Sequence, residues 1–362
     1  MTSRAAGLAE NSAIGVEAVA GGVRIGASPD QGQWDAALLV TGGHLLQSWR
    51  WGEFKARHGW RVRRLAVDDP GGTALAQVLY RHHGPVSVGY VPRGPAVGDR
   101  AANVMPLFSA IDRESRRQRA LTLIVEPDRP LPLTGRYRAA SFVRGPAHLQ
   151  PSRTVKVPLL PDDELLGQMH SKHRYNIRNA LRRGVVISQV AKTDENLDRF
   201  YELMQDTAGR NEFAVHTRDY YADFVVTFGS DAVLLFAHVD GELAVGAITA
   251  RFGTEAIYMY GASSTRHRAH GAGFLIQYEM MRWARDAGCT SYDLWGIPAV
   301  DPSSVEVDEG DRVAGTRGED WRGLYEFKVR FGGQIVGYPP MLERRYHPVL
   351  AAVARRGYAG RG

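Results

Sequence analysis

Residues 255–298 read EAIYMYGASSTRHRAHGAGFLIQYEMMRWARDAGCTSYDLWGIP and carry the clearest structural pattern in the chain. Residues 256–260 are apolar and aromatic, which predicts a strand. Residues 274–287 place apolar side chains at helical spacing and end at Gly288, and residues 291–294 predict a second strand. A strand that enters a helix through a glycine-containing loop presents backbone N–H groups at that loop, which suits an anion.

The loop before this helix carries a short phosphate-binding pattern. Arg268, Gly271 and Gly273 fit the R-x-x-G-x-G spacing with which GNAT acyltransferases hold the pyrophosphate of acyl-CoA. The chain contains 40 glycines in 362 residues, so this spacing alone has little specificity. It leaves open an N-acyltransferase that uses acyl-CoA, with Arg268 on the phosphates.

Four separated segments form a longer pattern. In chain order they are Gln47-Ser48-x-x-Trp51-x-x-x-Lys55; Lys172-x-Arg174-x-x-Ile177-x-x-Ala180-x-x-x-Gly184-Val185; the block Tyr258-Met259-Tyr260 with Gln277-x-Glu279, Trp283-Ala284 and Tyr292-Asp293; and Leu324-x-x-Phe327-Lys328-x-x-Phe331-Gly332. Together they resemble the Fem family, the aminoacyl-tRNA-dependent peptidyltransferases that build peptidoglycan cross-bridges. The resemblance spans about residues 44–340.

The resemblance implies a mixed α/β (α+β) fold with two tandem GNAT-like domains. We expect a flexible N-terminus at 1–30, a first domain from 31–153 plus 334–362 that binds the precursor, and a second domain from 154–333 on the aminoacyl-tRNA side. A C-terminal strand is expected to return to the sheet of the first domain. The second domain has no long heptad pattern, so we expect no coiled-coil arm.

The segment around Lys55 is the candidate for precursor binding in the first domain. Trp51, Phe54 and Lys55 are three to four residues apart and share a helix face, with Ser48 as a plausible N-cap. By resemblance, Lys55 takes the place of a lysine that contacts the phosphates of the cell-wall precursor, with Trp51 beside it. The alternative is that the aromatic residues are core and Lys55 is a solvated side chain.

The second domain adds further candidates for the precursor. His216 stands where arm-less relatives have an arginine, and a mostly neutral histidine is a weaker phosphate clamp, for which Arg218 is the candidate substitute. The resemblance places Tyr220, Tyr258 and Tyr260 around the muramyl or peptide part. The sequence leaves open whether the precursor is nucleotide-linked or lipid-linked.

A basic helix is predicted around residue 178. Arg174, Arg178 and Arg182 are four residues apart, so one helix face carries a row of guanidinium groups that repel one another. Phosphate or tRNA contact would offset that repulsion, and Lys172 and Arg268 join the row as candidates. A solvated charged face is the alternative.

The implied reaction is aminolysis, in which an amine attacks the ester carbonyl of aminoacyl-tRNA. The ester is already activated, so the enzyme mainly aligns two substrates and stabilises an oxyanion. Lys328 is the candidate for the oxyanion or the 3′-terminal phosphate, and Phe327 for the terminal adenosine or the acyl pocket. Asp293 either relays the amine proton or caps a turn. We expect no metal, because His82-His83 has no ligand cluster beside it in sequence.

Composition fits a globular protein with a polyanionic partner. The net charge is +6 and the pI about 9.4, which suggests phosphate, nucleic acid or anionic lipid, although an arginine-rich proteome would have the same effect. The one cysteine, Cys289, is expected to be a packed thiol in a reducing cytosol. No apolar run approaches 18 residues and the N-terminus lacks a secretory pattern. We expect a cytoplasmic monomer, with contact at the inner membrane face if the acceptor is lipid II.

The leading hypothesis is therefore transfer of an amino acid from aminoacyl-tRNA, as co-substrate and without a cofactor, to a peptidoglycan precursor. The second is the same transfer to a peptide or antibiotic outside the wall. The third is a GNAT enzyme with acyl-CoA, and a non-catalytic RNA-binding protein would not need Phe327-Lys328.

Overall fold

The computed structural model describes residues 30–69, 72–98, 104–133, 142–145, 149–211, 215–299 and 321–347. The chain divides into two compact units, Met1–Ala147 with Pro340–Gly362 and His148–Pro339. The N-terminal segment expected to be flexible lies outside the described residues, apart from Asp30.

The first unit begins with helices and continues into a sheet. Its elements are α1 (Gln31–Val40), a 3-10 turn (Leu45–Gln47), α2 (Trp49–Arg57), β1 (Arg61–Asp69), β2 (Gly72–His83), β3 (Val86–Pro92), β4 (Ala96–Val97), α3 (Val104–Arg117), β5 (Ala120–Glu126), β6 (Val143–Arg144) and, from the C-terminus, β14 (Leu342–Arg345). Ser48 caps α2 as expected, because its hydroxyl accepts from the Trp51 N–H at 3.3 Å.

The sheet of the first unit follows the order β1-β2-β3-β5-β14-β6, with β4 paired to β2. Its pairs are antiparallel except β3 with β5. On one helix face of α3, Leu107, Phe108 and Ile111 pack into the core of this unit. Strand β14 lies between β5 and β6, and Arg344 clamps Asp112 of α3 through two contacts of 2.7 Å. The expected return of a C-terminal strand to this sheet is confirmed.

The second unit has its own sheet and helices. Its elements are β7 (Arg153–Pro158), α4 (Asp162–Gly167), α5 (Ser171–Arg182), β8 (Val186–Gln189), α6 (Asp194–Asn211), α7 (Arg218–Phe228), β9 (Ala232–Val239), β10 (Glu242–Phe252), β11 (Glu255–Ser263), α8 (Ala272–Asp286), β12 (Ser291–Ile297), α9 (Trp321–Val329) and β13 (Gln334–Gly337). The sheet order is β13-β7-β12-β11-β10-β9-β8. The strand–helix–strand pattern of residues 255–298 is confirmed as β11, α8 and β12.

Three details differ from the sequence-based expectation. β13 pairs with β7 in the second sheet, so residues 334–337 lie with the second unit and the returning segment begins at Pro340. The sequence predicts one helix that begins at Asp162 and continues into the basic stretch from Lys172, but the structure breaks it after Gly167, and His170 caps the new helix α5. The four-residue spacing of Ile177, Leu181 and Val185 predicts an apolar face of α5, but Leu181 is 57% exposed, because Ala180 takes the buried position beside Ile177.

Candidate functional site

The neighbouring strands β11 and β12 separate halfway along their length. They pair in parallel only where 255–257 meets 291–293, although β11 continues to Ser263 and β12 to Ile297. Opposite β10, the register of β11 shifts so that Tyr258 faces Thr249 and Tyr260 faces Ile248, which leaves one extra residue between the two tyrosines. Such a bulge bends a strand and re-aims its side chains. The C-terminal halves of the two strands therefore frame a gap in the sheet.

Lys328, from the last turn of α9, is held at the β12 side of this gap. Its side chain is buried, and its ammonium donates to the carbonyl of Gly296 at 2.8 Å and to that of Trp295 at 3.4 Å. The Tyr258 ring lies 5.9 Å from the nitrogen. Burial lowers the pKa of Lys328 to about 8, while the carboxylate of Asp293 opposes that shift. Lys328, the candidate for the oxyanion, is thus a buried cation that loses its proton at lower pH than an ordinary lysine.

Asp293 is fully buried and shapes the turn that holds Lys328. Its carboxylate accepts from the Thr154 hydroxyl and from the Trp295 N–H at 2.6 Å. Trp295 has a positive φ of 60°. An aspartate can stabilise such a turn when its carboxylate accepts from the backbone N–H two residues later, as Asp293 does here. The Tyr338 hydroxyl lies 3.4 Å away. These contacts favour the turn-capping interpretation of Asp293 over the proton relay.

His173 on α5 anchors the other end of the Phe327-Lys328 segment. Its Nε2–H donates to the Phe327 carbonyl at 2.8 Å. Helix α9 ends at Val329, so this carbonyl lacks an N–H from its own helix. The rings of Phe274 and Phe331 enclose the imidazole, both at 4.7 Å between centroids. Burial lowers the pKa of His173 to about 4, so the ring is neutral at pH 7.

Sequence reasoning missed His173, although a signal for it was present. His173, Ile177 and Ala180 are spaced i, i+4 and i+7, which is the buried face of a helix, and all three are buried. Phe327, predicted to contact the terminal adenosine or acyl group, is half-buried and packs against Phe274 at 5.2 Å. The Phe327 ring therefore also packs in place the segment that carries Lys328.

An aromatic cluster lies at the β11 side of the gap. The His216 ring stacks on Tyr220 with centroids 3.7 Å apart, and Tyr260 packs edge-on against Tyr220 at 6.3 Å and Tyr221 at 5.1 Å. Burial raises the pKa of both Tyr220 and Tyr258 to about 12, so both hydroxyls remain protonated donors near neutral pH. The structure thus brings His216, Tyr220 and Tyr260 together, with Tyr258 beside Lys328.

Arg218, expected to substitute as a phosphate clamp, is engaged elsewhere. Its guanidinium contacts Asp194 at 2.7 Å and Asp198 at 2.8 Å, both on α6. The two carboxylates oppose a further anion at this guanidinium. The position of Arg218 therefore favours a role in joining α7 to α6.

Lys55 in the first unit lies among aromatic rings. Its ammonium is 5.5 Å from the Trp51 ring, 5.7 Å from Phe54 and 5.6 Å from Trp60. Trp51 and Phe54 are buried, as the core interpretation of the aromatic residues expects, whereas Lys55 is only half-buried. Burial, together with the charge of Arg81, lowers the pKa of Lys55 to about 8. A cation with this environment binds an anion with little competing hydration.

The basic candidates of the second unit are split between a helix and a loop. Lys172, Arg178 and Arg182 are exposed on α5, and the guanidinium of Arg174 donates to the Met169 carbonyl. Arg268 begins a 3-10 turn, Arg268–His270, ahead of α8.

The glycine loop that follows Arg268 is fitted against α5. Gly271 has a φ of 74°, and a Cβ there would lie 2.9 Å from the Asn176 carbonyl oxygen. A Cβ at Gly273 would meet open space. One flank of the loop is therefore covered by α5.

Cys289 is buried, and burial raises the pKa of its thiol, which suits a packed side chain. Within the described ranges, no helix combines the length and apolar character needed to cross a membrane.

Comparisons with known proteins agree with this architecture. The model of the Acetyltransferase (GNAT) domain matches residues 168–301, and the model of the FemAB family matches residues 39–136. Lipid II:glycine glycyltransferase of Staphylococcus aureus is 24% identical, over 70% of this chain and 80% of that protein. The crystal structure of FemX superposes with a TM-score of 0.75 at 22% identity, covering 91% of this chain and 99% of that one. A tandem GNAT protein from the clavulanic acid biosynthesis pathway gives a TM-score of 0.52 at 14% identity, covering 87% of this chain and 94% of that one.

The likeness to both solved structures confirms the expected fold, a mixed α/β chain with GNAT-like domains. The FemAB match falls on the segment that contains Trp51 and Lys55, and the GNAT match on the segment that contains α5, β11 and α8. With the sequence motifs in the same order along the chain, these findings support the resemblance to the Fem family.

Proposed function

We propose that this chain is an aminoacyltransferase that moves an amino acid from aminoacyl-tRNA to an amine on the stem peptide of a peptidoglycan precursor. The product is part of an interpeptide bridge. The observation that carries the proposal is the buried ammonium of Lys328, which the Phe327-Lys328 motif places at the gap between β11 and β12.

On the acyl side, the chain supplies positive charge where the reaction develops negative charge. Attack on the ester carbonyl gives a tetrahedral oxyanion, and donors fixed before the reaction stabilise it best. Lys328 is such a donor, because the Gly296 carbonyl and α9 already hold it in place. The Tyr258 hydroxyl, protonated because its pKa is about 12, is the second donor of this region.

On the amine side, the acceptor must lose a proton before it attacks. A lysine-like amine has a pKa near 10.4, and burial beside the charge of Lys328 lowers it. The carboxylate of Asp293 already accepts from Thr154 and Trp295, so its role in this proposal is to hold the turn. The amine proton leaves to water. When the tetrahedral intermediate collapses, the ester C–O bond breaks, and the tRNA leaves with a free terminal ribose hydroxyl that takes its proton from water.

The aromatic cluster of His216, Tyr220 and Tyr260 is the proposed surface for the muramyl or peptide part, and Lys55 the proposed contact for precursor phosphate. The 24% identity to lipid II:glycine glycyltransferase supports a lipid-linked acceptor. We propose that the reaction takes place in the cytoplasm, at the inner face of the membrane, and that the chain acts as a monomer without a cofactor.

Two other acceptor or donor choices remain distinct candidates. Transfer from aminoacyl-tRNA to a peptide outside the wall uses the same acyl side. Transfer from acyl-CoA is favoured by the GNAT match and by Arg268, Gly271 and Gly273, but the packing of Gly271 against α5 covers one flank of that loop.

The deciding experiment mixes the protein with radiolabelled aminoacyl-tRNAs or with acetyl-CoA and scores label on lipid II, on a nucleotide-linked precursor and on a free peptide. The proposal is supported if a precursor becomes labelled and if this labelling is lost both when ribonuclease destroys the tRNA and in Lys328→Ala. The labelled aminoacyl-tRNA that works then names the amino acid. Label from acetyl-CoA that is lost in Arg268→Ala overturns it.

A further inference from the structure

The outer face of α5 is an uncompensated basic surface. The helix SKHRYNIRNALR contains no acidic residue. Lys172, Arg178 and Arg182 are exposed on it, and none of them forms an ion pair with any carboxylate in the described ranges. Other arginines of the same unit do pair with carboxylates, among them Arg218, Arg251, Arg266, Arg282, Arg285 and Arg330. Lys172, Arg178 and Arg182 are therefore available to an external anion.

An exposed aromatic ring sits among these cations. Tyr175 is 59% exposed, although aromatic side chains are usually packed away from water. At about 100° per residue, Lys172, Arg178 and Arg182 all lie within roughly 60° of Tyr175 around the helix axis. The guanidinium carbon of Arg182 is 6.0 Å from the centre of the Tyr175 ring. One face of α5 thus presents a ring flanked by three cations.

We propose that Tyr175 is a stacking platform for an unpaired nucleotide of the RNA co-substrate, with Lys172, Arg178 and Arg182 on the flanking phosphates. This inference rests on the proposed function, because aminoacyl-tRNA is the polyanion it supplies. Aromatic rings inside a basic surface bind single-stranded nucleic acid, since every base has a face that stacks. The unpaired 3′ end of the acceptor arm offers such bases, and it is the end that carries the acyl ester.

The same helix connects this surface to the Phe327-Lys328 segment. The buried face of α5 carries His173, which donates to the Phe327 carbonyl at 2.8 Å, while Tyr175 is on the exposed face. A helix with its side chains is about 10 Å across. An RNA end that stacks on Tyr175 therefore lies about one helix diameter from the segment that holds Lys328.

An anionic membrane fits this surface less well. A helix that lies in a lipid interface needs an apolar face, and the apolar face of α5, with Ile177 and Ala180, is committed to the core. Its two exposed apolar side chains, Tyr175 and Leu181, point about 120° apart around the axis. They do not form a continuous patch for insertion.

The test measures binding of the full chain to two labelled RNA hairpins by fluorescence anisotropy. One hairpin has an unpaired four-nucleotide 3′ extension and the other is blunt. Tyr175→Ala is expected to weaken binding of the extended hairpin about tenfold and to leave the blunt hairpin unchanged. Tyr175→Phe keeps the ring and should bind as the wild type does. Leu181→Ala, on the same helix and equally exposed, is the matched control and should change neither affinity.

Arg178→Ala separates charge from stacking. It should weaken both hairpins and reduce the slope of log affinity against log salt by about one. If Tyr175→Ala weakens both hairpins equally, or neither, the stacking role is overturned. Binding to phosphatidylglycerol vesicles that depends on Tyr175, without RNA binding, also overturns it and makes the surface a lipid contact.

The transfer assay, run on the same preparations, tells the two proposals apart. Wild-type transfer from aminoacyl-tRNA together with unchanged hairpin binding by Tyr175→Ala overturns the stacking role alone. Transfer from acetyl-CoA only, with no RNA dependence, overturns the proposed function and removes the RNA that the stacking role requires.

Discussion

The ammonium of Lys328 lies 2.8 Å from the carbonyl oxygen of Gly296, in a turn shaped by the buried carboxylate of Asp293. One residue of α9 and one turn at the end of β12 are thereby locked together. The charged ammonium of Lys328 donates to the Gly296 carbonyl, and the side chain is buried away from solvent. This ammonium is thus held in the folded protein at an energetic cost, and that cost depends on pH.

The first prediction concerns stability against pH. The folded-state pKa of Lys328 is lowered from 10.5 to about 8, so between these values the unfolded chain binds a proton that the folded chain does not. Stability should therefore rise with pH across this window, by roughly 3 kcal/mol for this residue. Urea unfolding of wild type and Lys328→Met between pH 7.5 and 9.5 should show a smaller rise in the variant. Equal slopes would contradict the burial of the charge.

A second prediction separates the two interpretations of Asp293. Asp293→Asn keeps an oxygen that can accept from Trp295, whereas Asp293→Ala leaves that buried N–H without a partner. We expect the asparagine variant to retain most transfer activity and the alanine variant to lose about 1–3 kcal/mol of stability. Because the charge of Asp293 raises the pKa of Lys328, the alkaline limb of activity should move to lower pH in Asp293→Asn.

The decisive observation for Asp293 is the activity of the asparagine variant at pH 7. Loss of all transfer with unchanged stability would identify the carboxylate as the proton acceptor and overturn the turn-capping role.

The third prediction tests His173 as a positioning residue. His173→Gln retains an N–H donor for the Phe327 carbonyl, and His173→Leu does not. We expect kcat to fall about tenfold or more in the leucine variant with little change in KM, and to recover partly in the glutamine variant. A leucine variant with wild-type kcat would show that the hydrogen bond does not position Lys328.

His173 also gives an acid-side test. Its folded-state pKa is lowered from 6.5 to about 4, so stability should fall as the pH drops through this interval, where only the unfolded chain gains the proton. Both variants lack the group, so their unfolding free energies should depend less on pH between 6.5 and 4. At about pH 8, where His173 is neutral in both states, the difference in unfolding free energy between the leucine and glutamine variants reports mainly the lost hydrogen bond.

The sequence predicts the features that depend on local patterns, but not the contacts between residues that are far apart in the chain. The pattern of residues 255–298 predicts β11, α8 and β12, because it is local periodicity ended by glycine. The gap between β11 and β12 is not visible in that pattern, since it arises where pairing stops after Ile257. The motif predicts Lys328, but His173, which donates to the carbonyl of the adjacent Phe327, lies 154 residues before Phe327, and only tertiary packing joins them. The sequence does not predict the ion pairs of Arg218 for the same reason.

The fourth prediction compares two cations expected at precursor phosphate. Arg218 is bound to exposed carboxylates, and such pairs contribute about 0.2–1 kcal/mol. Arg218→Ala should therefore leave the KM for the precursor unchanged, with at most a small loss of stability. Lys55→Met should raise that KM severalfold, more at low salt than at high salt. A rise in KM for Arg218→Ala with none for Lys55→Met would reverse the two assignments.

The fifth prediction concerns Gly261, a glycine of β11 at the gap. A Cβ at Gly261 would lie 1.6 Å from the hydroxyl oxygen of Tyr258, so the tyrosine occupies space that only glycine leaves free. Gly261→Ala should push the Tyr258 ring away from its position 5.9 Å from the Lys328 ammonium and lower kcat about tenfold. In a Tyr258→Ala background the same glycine change has nothing to displace, so its further effect on kcat should be small. A double-mutant cycle measures this coupling directly, and additive effects of the two changes on the activation free energy would show that Tyr258 acts independently of the space at Gly261.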